Sequence, residues 1–344
     1  MSTPEKIGVL LINTGSTAAP KTAETRAYLR QFLSDPRMLD KNPIVRWLVL
    51  NLFILPTRPK ESAEAYAAVW TDEGSPLLAI SKRLETGLAS RMPEVEIELG
   101  MRYGDPSIPD AFERLIAANV DRIIVAPLYP QYSSAANGSA LEMVYKLAAR
   151  PWNVPPISVL PPFFDAEPFI DAWEGVTKPL YDSFKPDLLM MSYHGLPERH
   201  CQNSDRTGKH CLIQKDCCEQ IVDANRNCYR AQCHATSRAL AKRLGLTPED
   251  YLITFQSRLG REPWLTPATD LVLPDLPGKG VKRLMIMSPA FTADCLETLE
   301  ELGIRAKADF MAAGGEEFQL VPCPNDTPLW LDGLAGMLRG CAGV

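Results

Sequence analysis

Eight short aliphatic runs, at 7–13, 96–102, 122–127, 157–160, 187–193, 250–256, 283–288 and 318–322, punctuate the chain. Runs such as Arg122-Ile123-Ile124-Val125-Ala126-Pro127 show little polar alternation, the pattern of a strand covered on both faces. Between most of them lie stretches with apolar residues every three to four positions, for example Leu78 to Met92 and Ala235 to Leu244, which predict amphipathic helices. This alternation predicts an α/β fold of parallel strands joined by right-handed crossovers.

The pattern repeats. Gly8 to Gly15 echoes Leu188 to Gly195, and Arg122 to Tyr129 echoes Arg283 to Phe291, with polar residues only at the carboxyl ends of the runs. Pro151, Pro155, Pro156, Pro161 and Pro162 interrupt regular structure between the two copies. The expected organisation is an N-terminal half at 1–160, a C-terminal half at 161–325, and a final segment at 326–344 whose helix, near 327–339, returns to the first half. Two open sheets facing each other would direct their strand ends into a shared cleft.

Those strand ends carry the candidate chemistry. The first half offers Asn13, Arg102-Tyr103 and Tyr129-Pro130-Gln131-Tyr132-Ser133. The second offers His194, Gln256-Ser257-Arg258 with Pro263-Trp264, and Phe291 to Glu297. No G-x-G-x-x-G follows the first strand, and there is no P-loop lysine motif or G-x-S-x-G elbow, which argues against nucleotide-dependent and serine-hydrolase chemistry. One histidine, one glutamate and several aromatics suit proton transfer or metal handling on a flat hydrophobic molecule.

Pro43 to Pro56 is strongly apolar, interrupted by Arg46 and Asn51 and bounded by proline at both ends. It is too short for the ~20 residues of a spanning helix. Its expected role is an exposed lip that receives a greasy substrate or rests on a membrane surface, rather than a buried core helix.

The net charge of −6 argues against a nucleic-acid footprint, which needs a basic face. All four histidines and six of the nine cysteines fall between His194 and His234, a concentration that scatter does not produce. No secretory leader is recognisable in the first residues, so the thiols are expected to stay reduced and to bind metal rather than pair as disulfides. No CxxC pair occurs, which disfavours a zinc-finger reading.

Ser192-Tyr193-His194-Gly195-Leu196-Pro197 resembles the signature of the ferrochelatases, which insert ferrous iron into porphyrin. The resemblance runs nearly end to end. It takes in Gly8 to Gly15, Tyr129 to Ser133, Phe255-Gln256-Ser257-Arg258 with Pro263-Trp264-Leu265, and Asp294 to Leu299. It implies two Rossmann-like halves, each with a parallel four-stranded sheet, facing a central porphyrin cleft. It further implies protoporphyrin IX and Fe²⁺ as substrates, His194 and Glu297 as catalytic and iron-handling residues, and Asn13, Arg58, Arg102, Tyr103, Tyr129, Gln131, Tyr132, Ser133 and Trp264 as substrate contacts. Which of His194 and Glu297 binds iron and which takes protons is open at this stage. The chain departs from some relatives in carrying Cys295 where they have histidine, and Thr14 where animal relatives have methionine.

The cysteine-rich insert, 200–233, resembles that of ferrochelatases with a [2Fe–2S] cluster in an internal segment. This implies Cys211, Cys217, Cys218 and Cys228 as ligands, with Cys233 and then Cys201 in reserve, because adjacent side chains such as Cys217 and Cys218 are expected to diverge. A cytoplasmic location, peripheral at the inner membrane through 43–56, is the matching expectation. Insertion of another metal such as cobalt, coproporphyrin as substrate, and a non-catalytic haem or iron–sulfur sensor are the alternatives.

Overall fold

The computed structural model describes residues 5–260 and 262–343. The chain divides into two units. One comprises residues up to Leu128, Ser134–Pro161 and the chain from Leu331 onward; the other comprises Tyr129–Ser133 and Pro162–Trp330.

Unit 1 runs β1 (Ile7–Gly15), α1 (Thr22–Ser34), α2 (Pro43–Leu48), a π-helical segment (Val49–Ile54), α3 (Leu55–Val69), α4 (Pro76–Arg91), β2 (Val95–Tyr103), α5 (Ile108–Ala117), β3 (Arg122–Pro127), α6 (Ser139–Ala148) and β4 (Ile157–Val159). Its sheet is parallel throughout, in the order β2-β1-β3-β4. The central strands carry continuous apolar runs because both faces are covered: Val9 to Ile12 and Ile123 to Ala126 are fully buried. Gly15 ends β1 at φ +99°, where an added Cβ would lie 1.8 Å from the Tyr103 carbonyl oxygen, so only glycine fits.

Unit 2 repeats the plan with α7 (Glu167–Phe184), β5 (Leu188–His194), α8 (Glu198–Ser204), α9 (Tyr229–Leu244), β6 (Tyr251–Gln256), α10 (Thr269–Val272), β7 (Arg283–Met287), a π-helix (Glu297–Ala306), α11 (Lys307–Ala312) and β8 (Glu317–Leu320). Its sheet is also parallel, ordered β6-β5-β7-β8. The terminal helix α12 (Pro328–Ala342) is tied within unit 1 by Arg91 to Asp332 at 2.5 Å and by Arg339 to the Arg91 carbonyl at 2.6 Å.

All eight sequence-predicted strands form, each within two residues of its expected ends. Three features differ. Helix α9 begins six residues earlier than the apolar period showed, so Cys233 lies one turn inside the helix and not at its start. Tyr129–Ser133 belongs to unit 2, not to the 1–160 half, because Gln131 and Tyr132 hydrogen-bond to α9. The helical backbone does not stop at Pro56. The π-helical segment passes into α3 at Leu55, and Pro56 occupies the first turn, where a missing N–H costs little.

Along that run Ile44, Trp47 and Phe53 are 71%, 60% and 65% exposed, whereas Leu50 and Leu55 pack on Leu33. One stripe holds the segment to α1, and the other faces solvent. No helix among the described residues is long and apolar enough to cross a membrane.

Candidate active site and thiol pocket

In a sheet ordered β6-β5-β7-β8, successive connections leave β5 in one direction and β7 in the other. The carboxyl ends of β5 and β7 therefore flank a natural crevice. His194 ends β5, and Glu297 opens the π-helix that follows β7. Both are half-buried.

Gln256, the last residue of β6, ties the two segments together. Its carbonyl accepts from Gly195 N at 2.7 Å, its Nε2 donates to the Glu297 carbonyl at 2.8 Å, and its Oε1 accepts from Ser192 Oγ at 2.8 Å. A Cβ at Gly195 would lie 2.7 Å from that Gln256 oxygen and 3.3 Å from the Trp264 ring, which is why glycine follows the histidine. The next residue, Ser257, sits at φ +62°, a region non-glycine residues rarely occupy. Glu301 holds it there, its carboxylate accepting from Ser257 N at 2.8 Å and Ser257 Oγ at 2.5 Å. Gln256 and Glu301 were legible in the sequence only as members of a strand end and a helix; their bridging roles depend on tertiary contacts.

His194 Nδ1 lies 2.7 Å from the Gly195 carbonyl oxygen. A carbonyl only accepts, so Nδ1 carries the proton and Nε2 is left with its lone pair. The ring meets Phe291 edge-on at 6.4 Å. Beside Glu297, burial pushes the Cys295 thiol well up, and the Glu297 carboxylate pushes it further.

Tyr129 and Tyr132 are half-buried, with Gln131 and Ser133 buried. Gln131 Nε2 donates to Thr236 Oγ1 at 3.0 Å and to the Pro289 carbonyl at 3.1 Å, and Tyr132 N donates to Gln232 Oε1 at 2.6 Å. Gln131 thus anchors the turn, leaving the tyrosine rings as its partly exposed surface.

In unit 1 the expected substrate contacts behave differently from one another. Asn13 is buried, its Oδ1 accepting from Thr14 N at 2.8 Å. Arg58 lies exposed on α3, 3.4 Å from Glu61. Arg102 and Tyr103 take part in an internal network. Asp35 accepts from Arg102 Nη2 at 2.6 Å, from Tyr103 Oη at 2.9 Å and from Ser139 Oγ at 2.5 Å. Buried carboxylate and guanidinium satisfy each other here, and little of either remains to face a ligand.

The family model for ferrochelatase matches residues 6–340. Ferrochelatases of Coxiella burnetii (strain CbuK_Q154), Pseudomonas entomophila and Azotobacter vinelandii are 45%, 43% and 44% identical over 97%, 96% and 96% of this chain and 93%, 97% and 98% of their own. The chain belongs to the ferrochelatase family. Ferrochelatases are porphyrin metal chelatases, classed as lyases. The fold has the same cast: SirB from Bacillus subtilis with Fe³⁺ superposes with a TM-score of 0.54 at 13% identity, covering 98% of this chain and 96% of its own.

The chain carries a pocket of buried thiols between α8 and α9. Cys201 lies on α8, Cys211, Cys217 and Cys218 in the intervening loop, and Cys228 at the N-cap of α9. The sulfurs of Cys217 and Cys218 lie 3.8 Å apart, so these neighbours converge instead of diverging as expected. The Cys201 thiol draws the Cys228 sulfur down to about 6 by donating to it. Burial opposes this, while the Ala231 and Arg230 N–H groups and the Cys211 thiol add to it. Cys233 is fully buried one turn into α9, with Tyr229 hydrogen-bonded to its sulfur.

Polar side chains hold the loop. Asp205 accepts from the N–H groups of Thr207, His210 and Cys211 at 2.8, 2.7 and 2.9 Å. Buried Asn225 donates to the carbonyls of Cys217 and Gln220, both at 2.8 Å. Among the described residues no group of three or more His, Cys, Asp or Glu side chains is arranged to hold a single metal ion. The Cys217 and Cys218 sulfurs are in contact, and Cys228 is electrostatically coupled to Cys201 and Cys211.

Proposed function

We propose that this chain inserts Fe²⁺ into protoporphyrin IX, the last step of haem formation. The observation that carries the reading is the pairing, at the switch point of one sheet, of a histidine whose Nε2 lone pair is free of backbone contacts with a glutamate tied to it through Gln256. Metal insertion replaces two pyrrole N–H protons with one Fe²⁺, so the site must hold an iron and remove two protons. His194 Nε2 accepts a proton or donates its lone pair to iron, and the Glu297 carboxylate has the same two capacities. Tyr129, Tyr132 and Trp264 supply flat apolar faces for the macrocycle. The test is anaerobic: purified protein, protoporphyrin IX and Fe²⁺, followed by loss of porphyrin fluorescence. No loss under these conditions overturns the reading.

The thiol pocket is read as the seat of a [2Fe–2S] cluster, with Cys211, Cys217, Cys218 and Cys228 as ligands. Thiols gathered about two points suit two irons with two thiolates each, and the depressed Cys228 supplies one thiolate readily. Bound there, such a cluster would supply one-electron redox chemistry and would join the loop to the start of α9. Two irons and two labile sulfides per chain is the expected content; one zinc and no sulfide counts against it. The exposed apolar stripe of 43–56 supports a cytoplasmic enzyme resting on the inner membrane face, which flotation with vesicles tests.

A further inference from the structure

Cys228 caps helix α9, and Arg230, the second residue of the helix, turns its guanidinium back onto the loop. Arg230 Nη1 lies 3.6 Å from Cys217 Sγ and 3.3 Å from Cys218 Sγ. Those two sulfurs are its side-chain hydrogen-bond partners, and no carboxylate among the described residues forms an ion pair with it. A neutral thiol is a weak acceptor and a poor companion for a half-buried cation. A metal-bound thiolate is a good one, because it carries charge whether or not a proton is available. About two turns later, Arg238 Nη1 donates to the Cys218 carbonyl at 2.8 Å, placing a second positive charge behind the same residue. Nothing comparable faces the other thiols. Cys228 receives N–H groups of Arg230 and Ala231 and two S–H groups, and Cys211 neighbours the Asp205 carboxylate.

The pocket is thus electrostatically lopsided, positive at the Cys217/Cys218 end and negative beside Cys211. We propose that Arg230 sets the reduction potential of the iron–sulfur centre and directs the added electron to the iron held by Cys217 and Cys218. The proposal rests on the cluster reading above and goes beyond it. Reduction adds one electron to the centre, taking one Fe³⁺ to Fe²⁺, with no bond made or broken and no proton needed. The added charge is stabilised by hydrogen bonds to sulfur and by nearby cations, which are the levers a protein has on such potentials. Arg230 is a positioning and tuning residue, and it touches neither porphyrin nor the reacting iron.

The experiment is a potentiometric titration with dithionite of the full-length protein, followed by visible absorption and by electron paramagnetic resonance of the reduced form. Wild type, Arg230→Lys and Arg230→Gln are compared, with iron and acid-labile sulfide measured on each. Arg230→Gln is expected to keep the cluster and to lower the reduced-to-oxidised ratio at a fixed poise by about tenfold, about 59 mV for a one-electron couple. Arg230→Lys keeps the charge and is expected to shift it by much less. An Arg230→Gln protein without cluster beside a loaded Arg230→Lys protein supports the same conclusion, since only the charge separates them. A loaded Arg230→Gln with the wild-type midpoint overturns the proposal, as do equal shifts in the two variants or loss of the cluster from both. Wild type without labile sulfide fails the cluster reading itself, a different result from any of these.

Discussion

Gln256 Nε2 donates to the main-chain carbonyl of Glu297 at 2.8 Å, while the Gln256 carbonyl accepts from the N–H of Gly195. One strand-end glutamine therefore fixes the spacing of the His194 and Glu297 segments. Gln256→Glu keeps the acceptor for Ser192 but loses the donor to Glu297. A roughly tenfold fall in kcat is expected, with the porphyrin KM near wild type, because a displaced group costs rate before it costs binding. Unchanged kcat means the bridge does not position Glu297.

His194→Ala and Glu297→Gln are each expected to lower iron insertion by about 10²–10⁴-fold, the range for loss of a positioned proton-transfer group. Both residues are half-buried at strand and helix ends, so circular dichroism and Tm should stay close to wild type. Turnover within a few-fold of wild type for either variant removes that residue from the site.

Cys→Ser at 211, 217, 218 or 228 is expected to bleach the visible absorption and release iron and sulfide. Cys233→Ser, whose sulfur is occupied by Tyr229, should keep both. Colour lost from Cys233→Ser and kept in Cys217→Ser would exchange those two ligands.

The apolar stripe separates cleanly by exposure. Trp47→Ser and Phe53→Ser should leave the Tm nearly unchanged and weaken vesicle binding, whereas Leu50→Ala, in the contact with Leu33 and Leu55, should cost about 2–4 kcal/mol. Equal Tm losses at all three positions would mark the whole run as ordinary core.

His234 on α9 is held down to about 4 by burial, and then by Arg230 and Arg238. Its folded pKa lies below the unfolded value near ~6.5, so the neutral form belongs to the folded state. Its stabilisation is complete above that value and is lost as pH falls from there toward about 4, on the order of 3 kcal/mol in full. His234→Gln should flatten the urea-midpoint profile relative to wild type across that window; parallel profiles would dismiss the linkage.

The eight strands, the doubled plan and the positions of His194 and Glu297 were legible in the linear sequence. Aliphatic runs buried on both faces have one stable use, and reactive groups in such folds sit where those runs end. Recognition of the ferrochelatase motifs rested on the same local stretches, which the match over residues 6–340 spans. The tertiary structure alone decided what depends on residues far apart in sequence. Nothing in the linear sequence shows that Arg102 and Tyr103 share Asp35, some 67 positions away, as a hydrogen-bond acceptor. Cys217 and Cys218 should diverge as sequence neighbours, yet the turn held by Asn225 brings their sulfurs together under Arg230. Periodicity reports which face of an element is buried. It carries no record of which polar group on another element has already claimed a donor, and at a site that is the difference between scaffold and chemistry.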